Sequence, residues 1–228
     1  MGEDEKRDIL RAPATLQDIK KSYAVMSNFY GLLEGKFEKR LRERGLELLS
    51  VKEGEVVLEI GVGTGFSTRE IARSVAAAGR AYGIDLTPQM LRLTEKRLRK
   101  AGLMDRVELH EGDARTMPYE DNMFDAVYIA ATLELFDTHD IPRVLGEIRR
   151  VLKLSGRLGV ASLSKEGKGS FWFLRFYEWL HQKLPKYATC RPIYVEQTIK
   201  DAGFDVVKSE EFMIMKLVPW KLVIAIPR

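Results

Sequence analysis

Leu58-Glu59-Ile60-Gly61-Val62-Gly63-Thr64-Gly65 is the stretch whose reading decides the fold of this chain. An apolar run over residues 55–60 ends in glycines at alternate positions, and an amphipathic pattern follows at once and runs to residue 78. A strand that turns through glycines into a helix opens a βαβ unit, and the glycines leave bare backbone against which a ligand can lie. The spacing narrows the ligand. A dinucleotide fingerprint requires a glycine three residues after its second one, where a pyrophosphate meets the helix N-terminus. That position holds Phe66, and Gly65 comes one residue early. Glu59 adds to the distinction, because a carboxylate beside the loop attracts a cation and repels a phosphate.

Outward from the loop the same alternation continues. Strands are predicted over 80–84, 107–110, 124–130 and 157–162, with helices over 88–100 and 140–152 between them. Thr87 reads as an N-cap with Pro88 at the first helical position. The stretch 124–130, nearly all apolar, reads as a strand buried on both faces. Upstream, residues 14–50 read as two amphipathic helices. Downstream come an aromatic-rich helix at 170–184, a helix at 194–202 closed by Gly203, and strands at 205–211 and 221–226 that pair antiparallel. The fold class is therefore α/β: a Rossmann-like, seven-stranded, mostly parallel sheet with an antiparallel last strand, helices on both faces and an N-terminal helical cover. Residues 1–50 are expected to form that cover, and residues 51–228 the Rossmann-like domain, with the aromatic helix inserted near 165–192.

Composition bounds the function. A chain of 228 residues with 45% hydrophobic residues can bury one substantial core. Its net charge of +4 is small, and the basic residues of 36–44 alternate with acids as on a solvated helix face, so no nucleic-acid partner is expected. Cys190 is the only cysteine, and His110, His139 and His181 are scattered, so neither a disulfide framework nor a metal site is expected. The charged start lacks the apolar core of a signal peptide, which predicts a cytoplasmic protein.

Two further motifs follow the loop in order. Asp85 ends the second predicted strand at the distance where a carboxylate grips a ribose diol, with Leu86 and Met90 placed as apolar walls for a base. Asp113-Ala114, after the third strand, sets a carboxylate and a small residue where an adenine edge would lie. With Gly83-Ile84-Asp85, Gly112-Asp113-Ala114, Pro118 to Val127, and Leu152 to Leu158, the series resembles the successive motifs of class I S-adenosylmethionine-dependent methyltransferases. The resemblance covers about residues 22–228, and within the class it is to the ubiquinone/menaquinone-biosynthesis C-methyltransferase group. It implies S-adenosyl-L-methionine as cofactor, whose sulfonium and amino group suit Glu59. It also implies cofactor contacts at Tyr30, Glu59, Gly61, Gly63, Gly65, Asp85, Leu86, Met90, Asp113, Ala114 and Ala130. Two departures stand out: Gly31 follows Tyr30 where an acid is usual, and Leu154-Ser155 replaces a Pro-Gly turn.

The acceptor side is read from what remains. Residues 14–35 and 165–192 are rich in aromatics (Tyr23, Phe29, Tyr30; Phe171, Trp172, Phe173, Phe176, Tyr177, Trp179) and are expected to close over a small apolar or aromatic acceptor. Methyl transfer needs a base only if the nucleophile must lose a proton. His110, His139, His181, Tyr187 and Glu134 are the titratable candidates, of which Glu134, just after the fourth strand, is preferred. Other readings are a phospholipid N-methyltransferase in peripheral contact with a membrane, an NAD-dependent oxidoreductase and an RNA methyltransferase.

Overall fold

The computed structural model describes residues 36–166, 174, 179, 191–214 and 218–228. In chain order the elements are α1 (Lys36–Leu49), β1 (Val56–Ile60), α2 (Phe66–Ser74), β2 (Arg80–Asp85), α3 (Pro88–Ala101), β3 (Val107–Glu111), β4 (Phe124–Ala130), α4 (Ile141–Val151), β5 (Leu152–Leu163), α5 (Val195–Asp201), β6 (Phe204–Ile214) and β7 (Val218–Pro227). They build one seven-stranded sheet in the order β3-β2-β1-β4-β5-β7-β6. Neighbours from β3 to β5 run parallel, while β7 runs antiparallel to both β5 and β6. The predicted seven-stranded, mostly parallel sheet with its antiparallel last strand and flanking helices is the observed one. Strand order reverses between β1 and β4, and the crevice at the carboxyl ends of these strands is where open α/β sheets bind ligands.

The period-two alternation of strand side chains divides the core into two layers. Leu58 and Ile60 of β1 with Val127 and Ile129 of β4 face α4 and α5, where Ile141, Val144, Leu145, Ile148, Val195 and Ile199 cover them. Val57, Ala126, Tyr128 and Ala130 point the other way, onto Leu41, Leu48 and Leu49 of α1, Ile71 and Ala72 of α2, and Leu98 of α3. Leu41 and Leu49 are shut off from solvent, each stabilising the fold by roughly 1.5–3 kcal/mol. The second of the predicted N-terminal helices is thus α1, and it belongs to the core of the sheet domain. The first, and the segments at 1–35 and 167–190 apart from Leu174 and Trp179, lie outside the described residues.

Boundaries moved where local and tertiary preferences disagreed. The helix expected to reach residue 78 stops at Ser74, because Ala76 takes φ 58° and the chain turns early toward β2. Thr87 precedes α3 in extended conformation, but its side chain makes no cap bond; its N–H instead donates to Asp85 Oδ1 at 2.8 Å. β5 begins directly at Leu152, and its pairing with β4 slips between Phe124 and Ala126. Among the described residues no helix is long and apolar enough to cross a membrane.

Candidate functional site

The carboxyl ends of β1, β2 and β3 carry the first group of predicted site residues. Gly61, Gly63 and Gly65 all take positive φ (75°, 53° and 77°), a conformation that costs other residues about 1 kcal/mol or more. The first two do different work. A Cβ on Gly61 would fall 2.3 Å from Thr132 Oγ1, so the loop after β4 rests directly on the glycine turn. A Cβ on Gly63 would meet nothing within 4 Å, which leaves its bare backbone facing open space. Gly65 precedes α2, and Thr94 of α3 buttresses the loop by donating from Oγ1 to the Gly63 carbonyl at 3.0 Å.

Glu59 and Asp85 flank that open backbone. Glu59 is 3% exposed and accepts from the Thr68 hydroxyl. Burial pushes its carboxyl up to about 7, against the opposing influence of the Thr68 hydrogen bond and the Arg42 charge from α1. A positive charge placed beside such a group favours its ionised form, with the proton lost to solvent. Asp85 accepts from Gly63 N–H at 3.1 Å and from Thr87 N–H at 2.8 Å. Burial raises it above the usual carboxylate range, and the two amides oppose that rise. The Thr87 side chain bonds this carboxylate as well, so of its roughly four lone-pair positions about one remains for a ligand hydroxyl. Asp85, expected as a ligand contact, also knots the glycine loop to the start of α3.

Asp113 is more committed. Arg115 grips it through its own amide (2.9 Å) and its guanidinium (2.7 Å), and the same guanidinium reaches Asp140 at 2.8 Å. Burial raises the Asp113 carboxyl, but these bonds outweigh it and hold the group below its ordinary range. Ala114, Met90 and Ala130 are buried and Leu86 is half-buried. Tyr30 lies outside the described residues.

The second group sits at the ends of β4 and β5. Glu134, in a short 3-10 turn, is fully buried; its Oε2 accepts from Ser162 Oγ at 2.8 Å, and its Oε1 has no hydrogen-bond partner among the described residues. Burial pushes this carboxyl up to about 7, opposed by hydrogen bonding and by the Arg191 charge. Arg191, also fully buried, gives one N–H to the Phe136 carbonyl. Neither Arg191 nor Ser162 was singled out from sequence as a site residue. Ser162 falls near the end of a predicted strand, and Arg191 just after the aromatic insert, in the segment Cys190-Arg191-Pro192-Ile193-Tyr194-Val195 that resembles related small-molecule enzymes. Of the other base candidates, His110 is edge-on to Tyr119 at 6.3 Å and His139 is exposed. His181 and Tyr187 lie outside the described residues.

A methyltransferase-domain family model matches residues 57–156, the segment from β1 to the start of β5. The chain is 36% identical over 124 residues to the demethylmenaquinone methyltransferase of Lactobacillus johnsonii, covering 54% of this chain and 50% of that one. To the demethylmenaquinone methyltransferase of Symbiobacterium thermophilum it is 29% identical over 211 residues, covering 88% of this chain and 81% of that one. The chain thus spans half of the first relative and four-fifths of the second. Among solved structures, the [4+2]-cyclase SpnF superposes with a TM-score of 0.75 at 21% identity, covering 96% of this chain and 98% of that one. That likeness establishes the shared fold alone.

The sheet order, the glycine loop with its acid, and the family match make the chain similar to class I S-adenosylmethionine-dependent methyltransferases. Within that class the chain is similar to the ubiquinone/menaquinone-biosynthesis C-methyltransferase group.

Proposed function

We propose that this chain methylates a carbon of a small apolar acceptor with a quinol-type or phenolic ring. The observation that carries the reading is the open face of Gly63 between two raised carboxyls, on a chain whose relatives bear the name demethylmenaquinone methyltransferase. S-adenosylmethionine, when bound, supplies a methyl carbon activated by a sulfonium leaving group. Glu59 balances the positive charge of the methionine end, and Asp85 accepts from a ribose hydroxyl with the capacity that its bonds to Gly63 and Thr87 leave. Leu86 and Met90 wall the base, Asp113 and Ala114 meet its edge, and Ala130 closes the side toward β4. Gly61 and Gly65 shape the loop, and Tyr30 closes over the methionine end as the resemblance implies.

The rest of the work is positioning. In-line transfer needs the acceptor carbon held against the methyl with water kept out. The stretches at 14–35 and 165–192 supply the cover in this reading. Incubation with S-adenosylmethionine and, in parallel, reduced 2-prenyl-naphthoquinone, phosphatidylethanolamine and total tRNA tests the reading by mass spectrometry. A gain of one methyl on the naphthoquinol ring is expected; methylation confined to the lipid or the tRNA overturns the acceptor class.

A further inference from the structure

Among the described residues, seven buried side-chain atoms have no hydrogen-bond partner: Arg106 Nε, Tyr119 Oη, Glu134 Oε1, Thr138 Oγ1, Arg191 Nε and Nη1, and Trp220 Nε1. Buried polar atoms are costly when unsatisfied, so each asks what it is waiting for. Four of the seven, on three residues, belong to one neighbourhood. Glu134 and Thr138 lie on the loop after β4, and Arg191 reaches that loop at the Phe136 carbonyl. Two residues on, Ile193 exchanges backbone hydrogen bonds with Leu163 and Lys165 at the end of β5.

Arg191 is the strongest of these. A fully buried guanidinium that gives only one N–H, and that to a neutral carbonyl, is half-used. Asp137 and, more weakly, Glu134 sit near enough for their charges to act on Arg191, yet the Glu134 carboxylate makes no ion pair with it and Oε1 remains unpartnered. The place is also right. Thr132, two residues before Glu134, is the residue against which a Gly61 side chain would collide, so this loop runs from the glycine turn into the polar cluster.

We propose that Arg191 and Glu134 form the polar anchor for the methyl acceptor. Nε–H and Nη1–H of Arg191 donate to an acceptor oxygen, and Glu134 Oε1 accepts the hydrogen of that oxygen, so the acceptor carries a hydroxyl on its ring. The inference rests on the methyltransferase reading and deepens its acceptor side. Both side chains are closed to solvent, and in a dry site a ligand that lacks the matching hydroxyl leaves both groups unpaired, a heavy penalty.

The test uses the full chain saturated with S-adenosylhomocysteine and titrated with 1-naphthol and with naphthalene, which differ by the hydroxyl alone. In the wild type, 1-naphthol binds ~10-fold or more tightly than naphthalene. Arg191→Met brings the two within ~2-fold of each other and leaves S-adenosylhomocysteine affinity unchanged. If Arg191→Met does not fold, Arg191→Gln, which keeps a donor of similar reach, is expected to cut the preference while the chain stays folded. Wild-type protein that binds the two probes equally overturns the anchor, as does a folded variant that keeps the full preference. A wild type that fails to bind S-adenosylhomocysteine overturns the methyltransferase reading itself, which separates the two failures.

Discussion

The two halves of the crevice are built on opposite plans. At the ends of β1 to β3 every carboxylate of the candidate site has a partner: Glu59 has Thr68, Asp85 has Gly63 and Thr87, and Asp113 has Arg115. At the ends of β4 and β5, Glu134 and Arg191 are more deeply buried, yet between them three polar atoms go unbonded. A preformed half holds its geometry before any ligand arrives, whereas the second half leaves hydrogen-bonding capacity for a ligand to fill. A cofactor common to many acceptors suits the first plan, and a particular acceptor suits the second.

The largest expected effect separates the two glycines of the preformed half. Gly61→Ala forces a side chain onto a positive φ and into Thr132, and should cost about 2–4 kcal/mol of folding stability, read as a lowered denaturation midpoint. Gly63→Ala meets no neighbour and should cost only about 1 kcal/mol of stability, while abolishing S-adenosylhomocysteine binding in calorimetry. A stable Gly63→Ala protein with normal affinity would mean that the open space beside that residue is not the cofactor's.

Next is Asp85, which serves both loop and ligand. Asp85→Ala should weaken S-adenosylhomocysteine binding by roughly 1.5–3 kcal/mol, the range for a hydrogen bond to a charged group. Because the Gly63 and Thr87 amides lose their acceptor as well, a stability loss of about 1 kcal/mol should accompany it. Unchanged affinity with reduced stability would assign Asp85 to the loop alone.

A pH series compares the two raised carboxyls. Both Glu59 and Glu134 are pushed from an ordinary 4.5 up to about 7 by burial. The folded chain then keeps protons that the unfolded chain has released, so each group's contribution is full below about 4.5 and is lost as pH rises through about 7. Stability should fall by up to ~1.4 kcal/mol per pH unit for each group across that window. Cofactor binding follows the opposite sign, because a cation favours the ionised form of Glu59: affinity for S-adenosylmethionine should rise between about pH 6 and about pH 8. Glu59→Gln should flatten the binding slope and leave the stability slope of Glu134 in place. A wild-type affinity that is level over this range would remove Glu59 from contact with the cation.

Legibility followed the same division. The glycine turn, Glu59, Asp85 and Asp113 are readable because the strand–loop–helix context that gives them meaning lies within a few residues of each. The antiparallel β7 was readable from two strand patterns too close in sequence for a crossover. What could not be read depends on distant pairs. Ser162 meets Glu134 across 28 positions and Arg191 meets Phe136 across 55. No periodicity announces that an arginine will be buried, and the local expectation for one is a solvated surface. The early end of α2 and the packing of α1 into the core were missed for the same reason: tertiary contacts overrode a local pattern.

The smallest expected effect tests whether the preformed half is uniformly committed to the cofactor. Asp113 spends most of its hydrogen-bonding capacity on Arg115, which also holds Asp140, so its bond to any ligand competes with a pair already made. Arg115 and Asp113 are about one-fifth to one-quarter exposed, and partly solvated pairs contribute ~1 kcal/mol or less. Asp113→Asn keeps the shape and one acceptor oxygen for the Arg115 amide, and loses the charge. Affinity for S-adenosylhomocysteine should fall by about 1 kcal/mol or less, well short of the Asp85→Ala loss. Arg115→Met should produce no larger drop, since it frees the Asp113 carboxylate for the ligand while loosening its position. If Asp113→Asn instead weakens binding as much as Asp85→Ala, the carboxylate is a principal cofactor contact and Arg115 merely its orienting partner. Calorimetry on the three variants side by side, each checked to be folded at the temperature of the titration, decides between the two.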